Sequence, residues 1–213
     1  MTTATISPPA STRAARRAAA ALLAGACLTP PLAGAAQMLS LKVKRDGPRY
    51  FVESHALIDA PIEAVYDVLI DYDRLHELTS TFEETRIVDG AENEEQRLVY
   101  LRARGCVAFF CKTIIRYDRL ELERPRDIVA VAVPAPDADV EGDEQAVAYS
   151  YSHWELSEEE DGTHVLYSME MEPPFWVPPL VGPWAVKRKL ASGAGDAAQR
   201  VEQRALGLPV VLD

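Results

Sequence analysis

Signatures of metal and nucleotide chemistry are missing from this sequence. It has no C-x-x-C, no H-x-x-x-H among its four histidines, no G-x-x-x-x-G-K-[ST] loop and no G-x-S-x-G elbow. Those absences remove the usual short-range signals for structural zinc, phosphate cradling and serine-hydrolase chemistry. Cysteine is scarce, at three in 213 residues. No apolar run approaches the roughly 20 residues that a helical bilayer span needs. Positive charge is also short, with 22 Lys and Arg against 33 Asp and Glu, a net charge of −11. Such a surface repels phosphate backbones and excludes broad nucleic-acid binding.

What the chain does have begins at its N-terminus. Arg13, Arg16 and Arg17 precede a short apolar run from Ala18 to Leu28, and Ala33-Gly34-Ala35 offers a small-residue cleavage site. Residues 1–36 therefore read as a cleaved export signal, and the expected location is periplasmic or secreted. Cleavage leaves 19 basic against 33 acidic side chains, a net charge of −14. Cys106 and Cys111 then remain, and an oxidising compartment favours a disulfide between them. Residues five apart point to opposite faces of a straight strand, so a bridge requires a turn or bulge within GCVAFFC. The alternative is two reduced cysteines packed as small hydrophobes.

After a flexible lead over residues 37–48, Arg49 to Ile58 shows strand alternation. Asp59-Ala60-Pro61 opens a helix, with Asp59 as N-cap and an apolar face of Ile62, Val65, Tyr66, Leu69 and Ile70. A second short helix is expected from Arg74 to Thr79, with Asp71 and Asp73 as caps rather than paired catalytic carboxylates. Six strand candidates follow: residues 84–89, 96–104, 109–122, 127–134, 145–156 and 163–172. The acidic stretch from Ala135 to Glu144 reads as a hairpin loop. Finally Pro183 to Leu206 runs helically, with Gly207 and Pro209 as the stop. Strands segregated from helices indicate an α+β domain, a seven-stranded antiparallel sheet curled around the long C-terminal helix. Along that helix Trp184, Ala191, Ala194, Ala198, Val201 and Ala205 share a face. Small residues there either let the sheet approach or leave a void.

The phrase SHALIDAPIEAVYDVLIDYDRLHEL, followed by ETRIVDG, resembles the opening of START-like helix-grip (SRPBCC) proteins, and most closely the coenzyme Q-binding and polyketide cyclase group. The resemblance spans residues 49–207. It implies an apolar cavity between the sheet and the last helix, and hence a carrier of a hydrophobic molecule such as a lipid or a quinone. The alternatives are a polyketide cyclase-like enzyme using the same cavity, and an envelope interaction module with a packed core.

The expected ligand-lining residues are Trp184, Ala191, Ala194, Gly195 and Ala198 on the helix, with Tyr149, Tyr151 and His153 on the sheet. His153 and Glu155 share a strand face. Turned into the cavity, His153 would serve as a general base oriented by Glu155; turned outward, the two form a pair in water. Just before the helix, Phe175 and Trp176 open an apolar lip, and Lys187, Arg188 and Lys189 follow it. Cations at a helix N-terminus oppose its dipole, whereas aromatics beside cations suit a membrane interface. The alternative is an inward-folded plug. The partners expected are thus a hydrophobic small molecule and a transient membrane contact. No catalytic residue, cofactor or metal is assigned.

Overall fold

Leu39, Leu41 and Val43 alternate with polar neighbours ahead of Asp46-Gly47-Pro48, and this stretch forms the first strand, β1 (Gln37–Asp46). It pairs antiparallel with β2 (Arg49–Ile58) through a tight turn in which Gly47 takes a φ of 55°, a conformation that favours glycine. The expected flexible lead over 37–48 is therefore corrected to an edge strand. The structure is a computed structural model. It describes residues 36–88, 96–107, 110–135, 142, 144–177 and 182–210, without the side chains at 96, 107, 110, 182, 183, 185, 186, 189, 190 and 192. The chain divides into two units, Met1–Leu32 and Ala33–Asp213, and the described residues all belong to the second. The expected export signal, most of the acidic loop and the side chain of Lys189 lie outside the described residues.

Helix α1 (Ile62–Ile70) follows β2, and a 3-10 turn (Leu75–Glu77) leads into β3 (Phe82–Ile87). The strands β4 (Gln96–Val107), β5 (Phe110–Glu123) and β6 (Asp127–Val133) continue as a meander. Then come β7 (Gln145–Ala146), β8 (Tyr149–Glu159), β9 (Gly162–Glu172) and the long helix α2 (Gly182–Ala205). The sheet runs β1-β2-β9-β8-β6-β5-β4-β3 with antiparallel neighbours, and β7 adds a short parallel pairing to β5. The count thus exceeds seven for two reasons. β1 joins one edge, and Val147-Ala148 splits the expected strand 145–156 into β7 and β8.

One face of the sheet carries both helices. Ile58, Ile128, Leu156 and Val165 pack there with Ile62, Val65 and Tyr66 of α1 and Val201 of α2. On the opposite face, among the described residues, Tyr100, Ile115 and Tyr117 pack with Ala146. α1 and α2 are tied together at the start of α1. Glu202 of α2, 6 % exposed, accepts the Asp59 N–H at 2.9 Å, and Thr163 donates its hydroxyl to the Ala60 carbonyl at 2.6 Å. Asp59 is therefore not the expected N-cap, since the helix starts after Pro61 with no side-chain cap. Asp73 likewise accepts the Ile87 N–H at 2.9 Å, so it secures β3 instead of capping the 3-10 turn.

The stop of α2 follows its sequence signal. Gly207 takes a φ of 69°, its N–H reaches Arg204 O, and the Leu208 N–H reaches Gln203 O at 2.7 Å, the paired bonds of a left-handed helix end. Among the described residues no helix is long and apolar enough to cross a membrane.

Candidate functional site

Register fixes which side chains face α1 and α2. Leu156 pairs with Val165 and Trp154 with Tyr167, so the even residues of β8 (Ser150, Ser152, Trp154, Leu156) share the helix-facing side. Through Ile128 and Leu120, that parity carries to Asp118 and Arg116 on β5, and then to Val99 and Leu101 on β4. Among the described residues this inner surface is largely apolar, and it holds one buried ion pair.

In that pair Arg116 and Asp118 stand two residues apart on β5, pointing the same way. Arg116 Nε lies 2.8 Å from Asp118 Oδ2, with the side chains 12 % and 1 % exposed. Arg116 Nη1 also donates to Ser150 Oγ at 3.1 Å. Neither Asp118 oxygen receives a hydrogen bond of good geometry among the described residues. Burial pushes the Asp118 carboxyl above the usual carboxylate range, and Arg116 only partly offsets it. Burial also works against the Arg116 cation, but Asp118, Tyr167 and Tyr72 outweigh it, so the guanidinium stays charged. Tyr167 is pushed up to about 12 by its burial, and Tyr72 is raised by its own burial and then by Asp118. Both phenols are thus neutral donors at physiological pH. Trp154 stacks at a tilt on Tyr167, 4.7 Å between ring centroids, and closes one side of the cluster.

The expected sheet residues lie elsewhere. Tyr149, Tyr151 and His153 do share a face, as their parity requires, but it is the outer one, away from the helices. Tyr149 lies beneath the Arg49 guanidinium at 4.2 Å, and Tyr151 is 40 % exposed. His153 Nε2 lies 2.8 Å from Asp127 Oδ1, and its Nδ1 lies 4.0 Å from Glu155 Oε2. These three residues do not line the space beneath α2, and this placement is corrected. The helix expectation divides. Ala198 is buried beside Val201, Ala194 is half-buried, and Trp184, Ala191 and Gly195 are exposed. Among the described residues of α2, the buried side chains Ala198, Val201 and Glu202 lie in its C-terminal half.

Where it is described, the lip turns its tryptophans and cations to solvent. Trp176 is 76 % and Trp184 62 % exposed, Phe175 is half-buried, and Lys187 and Arg188 are exposed. Arg188 sits 5.4 Å from the Trp184 ring centroid. At the other end of α2, a cleft of about 380 Å³ is lined by Arg74, Glu77, Arg204, Gly207, Leu208, Pro209 and Val210. Its charges are already engaged, because Arg204 ion-pairs Glu77 and donates to the Arg74 carbonyl. Cys106 and Cys111 are register partners across the β4–β5 hairpin and are disulfide-bonded.

Residues 58–197 match the family described as polyketide cyclase / dehydrase and lipid transport. The chain belongs to this family. No curated protein matches the sequence. Solved structures of the same fold include a STAR-related lipid transfer protein fragment from Xanthomonas axonopodis, 13 % identical, with a TM-score of 0.56 over 76 % of this chain and 99 % of that one. Human STARD10 is 14 % identical, with a TM-score of 0.58 over 78 % of this chain and 73 % of its own. TTHA0849 from Thermus thermophilus is 19 % identical, with a TM-score of 0.54 over 74 % and 97 %. At these identities the likeness establishes the fold alone, the helix-grip arrangement of the SRPBCC superfamily.

Arg116 and Asp118 were not singled out by sequence reasoning, although a signal was there. In IIRYDRLELE the two charges share their parity with Ile114, Leu120 and Leu122. A charged pair within an apolar strand face is costly to bury and indicates a site.

Proposed function

We propose that the protein is an exported carrier for one hydrophobic molecule bearing a polar end, such as a lipid or a quinone, with the polar end held at Arg116 and Asp118. One observation carries this reading: a nearly buried ion pair, with unused hydrogen-bonding capacity on Asp118, on the largely apolar sheet face that carries the helices. Asp118 Oδ1 has no donor among the described residues, and leaving a buried acceptor unpaired costs about 1–3 kcal/mol, which a polar ligand group would offset. Apolar burial would supply most of the affinity, at ~25 cal/mol per Å², and the pair would set orientation. The lipid-transfer protein among the structures of this fold supports the same class of cargo.

Loading would occur at a membrane, through the lip. Exposed Trp176 and Trp184 beside exposed Lys187 and Arg188 suit headgroup depth and anionic lipid. A cyclase-like enzyme has less support. His153 faces outward, and burial raises the inner tyrosines, which makes them weak proton donors and supplies no phenolate base at neutral pH.

The test is mass spectrometry of the intact protein purified without detergent from its own envelope fraction, followed by solvent extraction. A stoichiometric lipid or quinone establishes the carrier. An empty protein that also refuses a hydrophobic fluorescent probe points to the packed interaction module.

A further inference from the structure

The outer face of β2, β9 and β8 carries a second polar constellation, unconnected with the inner pair. His55 on β2 and His164 on β9 are diagonal neighbours there, since His55 registers with Leu166 and His164 with Leu57. His55 Nε2 lies 2.8 Å from His164 Nδ1. One imidazole must donate and the other accept, so this contact orients the His164 ring and needs one ring neutral. On the far side of the ring, His164 Nε2 is 3.0 Å from Asp161 Oδ1 and 3.8 Å from Glu159 Oε2. One ligand atom from each of these three residues lies within 4.8 Å of the other two. Zn–N and Zn–O bonds near 2.1 Å in tetrahedral geometry put neighbouring ligand atoms about 3.4 Å apart. The two measured separations bracket that spacing.

One further observation points to a cation. Glu158-Glu159-Glu160-Asp161 is a run of four acidic residues, and among the described residues no Lys or Arg ion-pairs with it. The hairpin that presents it is also pinned. Gly162 takes a φ of 132°, and a Cβ there would lie 2.5 Å from the Ile58 carbonyl oxygen, so the β8–β9 turn sits close against the end of β2.

We propose that Glu159, Asp161 and His164 bind a divalent transition-metal ion of the Zn²⁺ type, with His55 positioning the His164 ring. The ion replaces the proton on His164 Nε2, and His164 Nδ1–H then donates to His55 Nε2, the usual outer contact of a ligating histidine. Water completes the coordination. A mixed imidazole and carboxylate set selects Zn²⁺, Co²⁺ or Ni²⁺ over Mg²⁺ and Ca²⁺. The short-range motifs absent from the sequence would not reveal such a site, because a hairpin turn and a neighbouring strand assemble it. The other outer cluster is a poorer cage. Its three ligand atoms also lie within 4.8 Å of one another, but the nearest contacts of Asp127 and Glu155 are to different nitrogens of His153, at 2.8 and 4.0 Å.

The test uses the full chain without a histidine tag, titrated with Zn²⁺ by calorimetry and with Co²⁺ by visible absorption. One saturable ion per chain is expected, with no response to Mg²⁺ at the same concentration. Asp161→Asn and His164→Gln each weaken binding at least tenfold, and His55→Gln weakens it roughly 10- to 100-fold. His153→Gln leaves it unchanged. Asp161 is 59 % exposed, so its variant folds normally and keeps the test decisive. No saturable uptake, or uptake that survives both Asp161→Asn and His164→Gln, overturns the site. Uptake lost with His153→Gln moves the ion to the other cluster and overturns it equally, and an unchanged His55→Gln refutes the positioning role.

Discussion

Replacing Arg116 with methionine separates the two explanations for the inner ion pair, structural and functional. The substitution keeps most of the side-chain volume but leaves Asp118, 1 % exposed, without its cation. Breaking a buried pair from one side costs about 3–5 kcal/mol. For a domain of this size that lowers Tm by roughly 6–20 °C. Asp118 already titrates above its usual range and escapes part of this cost by taking up a proton, so the deficit should narrow as pH falls. The double variant Arg116→Met with Asp118→Leu removes both charges and fills the space with apolar atoms. It should match the parent or exceed it by about 1–4 kcal/mol. Cargo retention should move the other way, weakening roughly 10- to 100-fold with the loss of charge-assisted hydrogen bonds. Urea denaturation followed by tryptophan fluorescence, run beside ligand extraction, reads both quantities. A single variant as stable as the parent would refute the burial argument. A double variant that holds its cargo undiminished would refute the anchor.

Three further expectations are independent of that experiment. Phe175→Ser with Trp176→Ser should abolish binding to anionic liposomes while changing stability little, because Trp176 is 76 % exposed; unchanged flotation with liposomes would sink the membrane lip. Gly162→Ala should destabilise by about 1–3 kcal/mol, since its φ of 132° is hostile to a side chain and the new Cβ meets a backbone oxygen; an unshifted denaturation midpoint would contradict the geometry. The raised carboxyl of Asp118 binds its proton more tightly folded than unfolded. Its favourable contribution is therefore complete below the unfolded value of 3.8 and is lost as pH rises through the folded one. Asp118→Asn should remove that dependence from the stability–pH curve, and an unaltered slope would refute the assignment.

The elements were largely legible because their local chemistry is unambiguous. Gly207 and Pro209 mark a helix end, and the alternation of Arg49 to Ile58 fits one half-buried strand. The faces were harder. On β8 the odd set, Tyr149, Tyr151 and His153, looks more like a binding surface than Ser150 and Ser152 do. Only pairing with β9 and β6 shows that the serines face the helices. Parity says which residues travel together; which side they take is decided by partners far away in sequence. The edge strand β1 was hidden for a related reason, since Lys42, Lys44 and Arg45 give it a loop-like composition. Charged residues of that kind also protect an exposed sheet edge from pairing with other chains.

The pairing of β2 with β9 has a kinetic meaning. Arg49 meets Glu170, 121 residues further along, so the first hairpin waits for nearly the whole chain before its second edge is covered. The meander β3-β4-β5-β6 has mostly local contacts and can organise early, whereas closing the sheet requires a long loop to shut. A nascent chain of this topology therefore stays open until its last strand arrives. The same order holds for the long helix, because α2 can settle on a complete sheet only after β9 has joined β2.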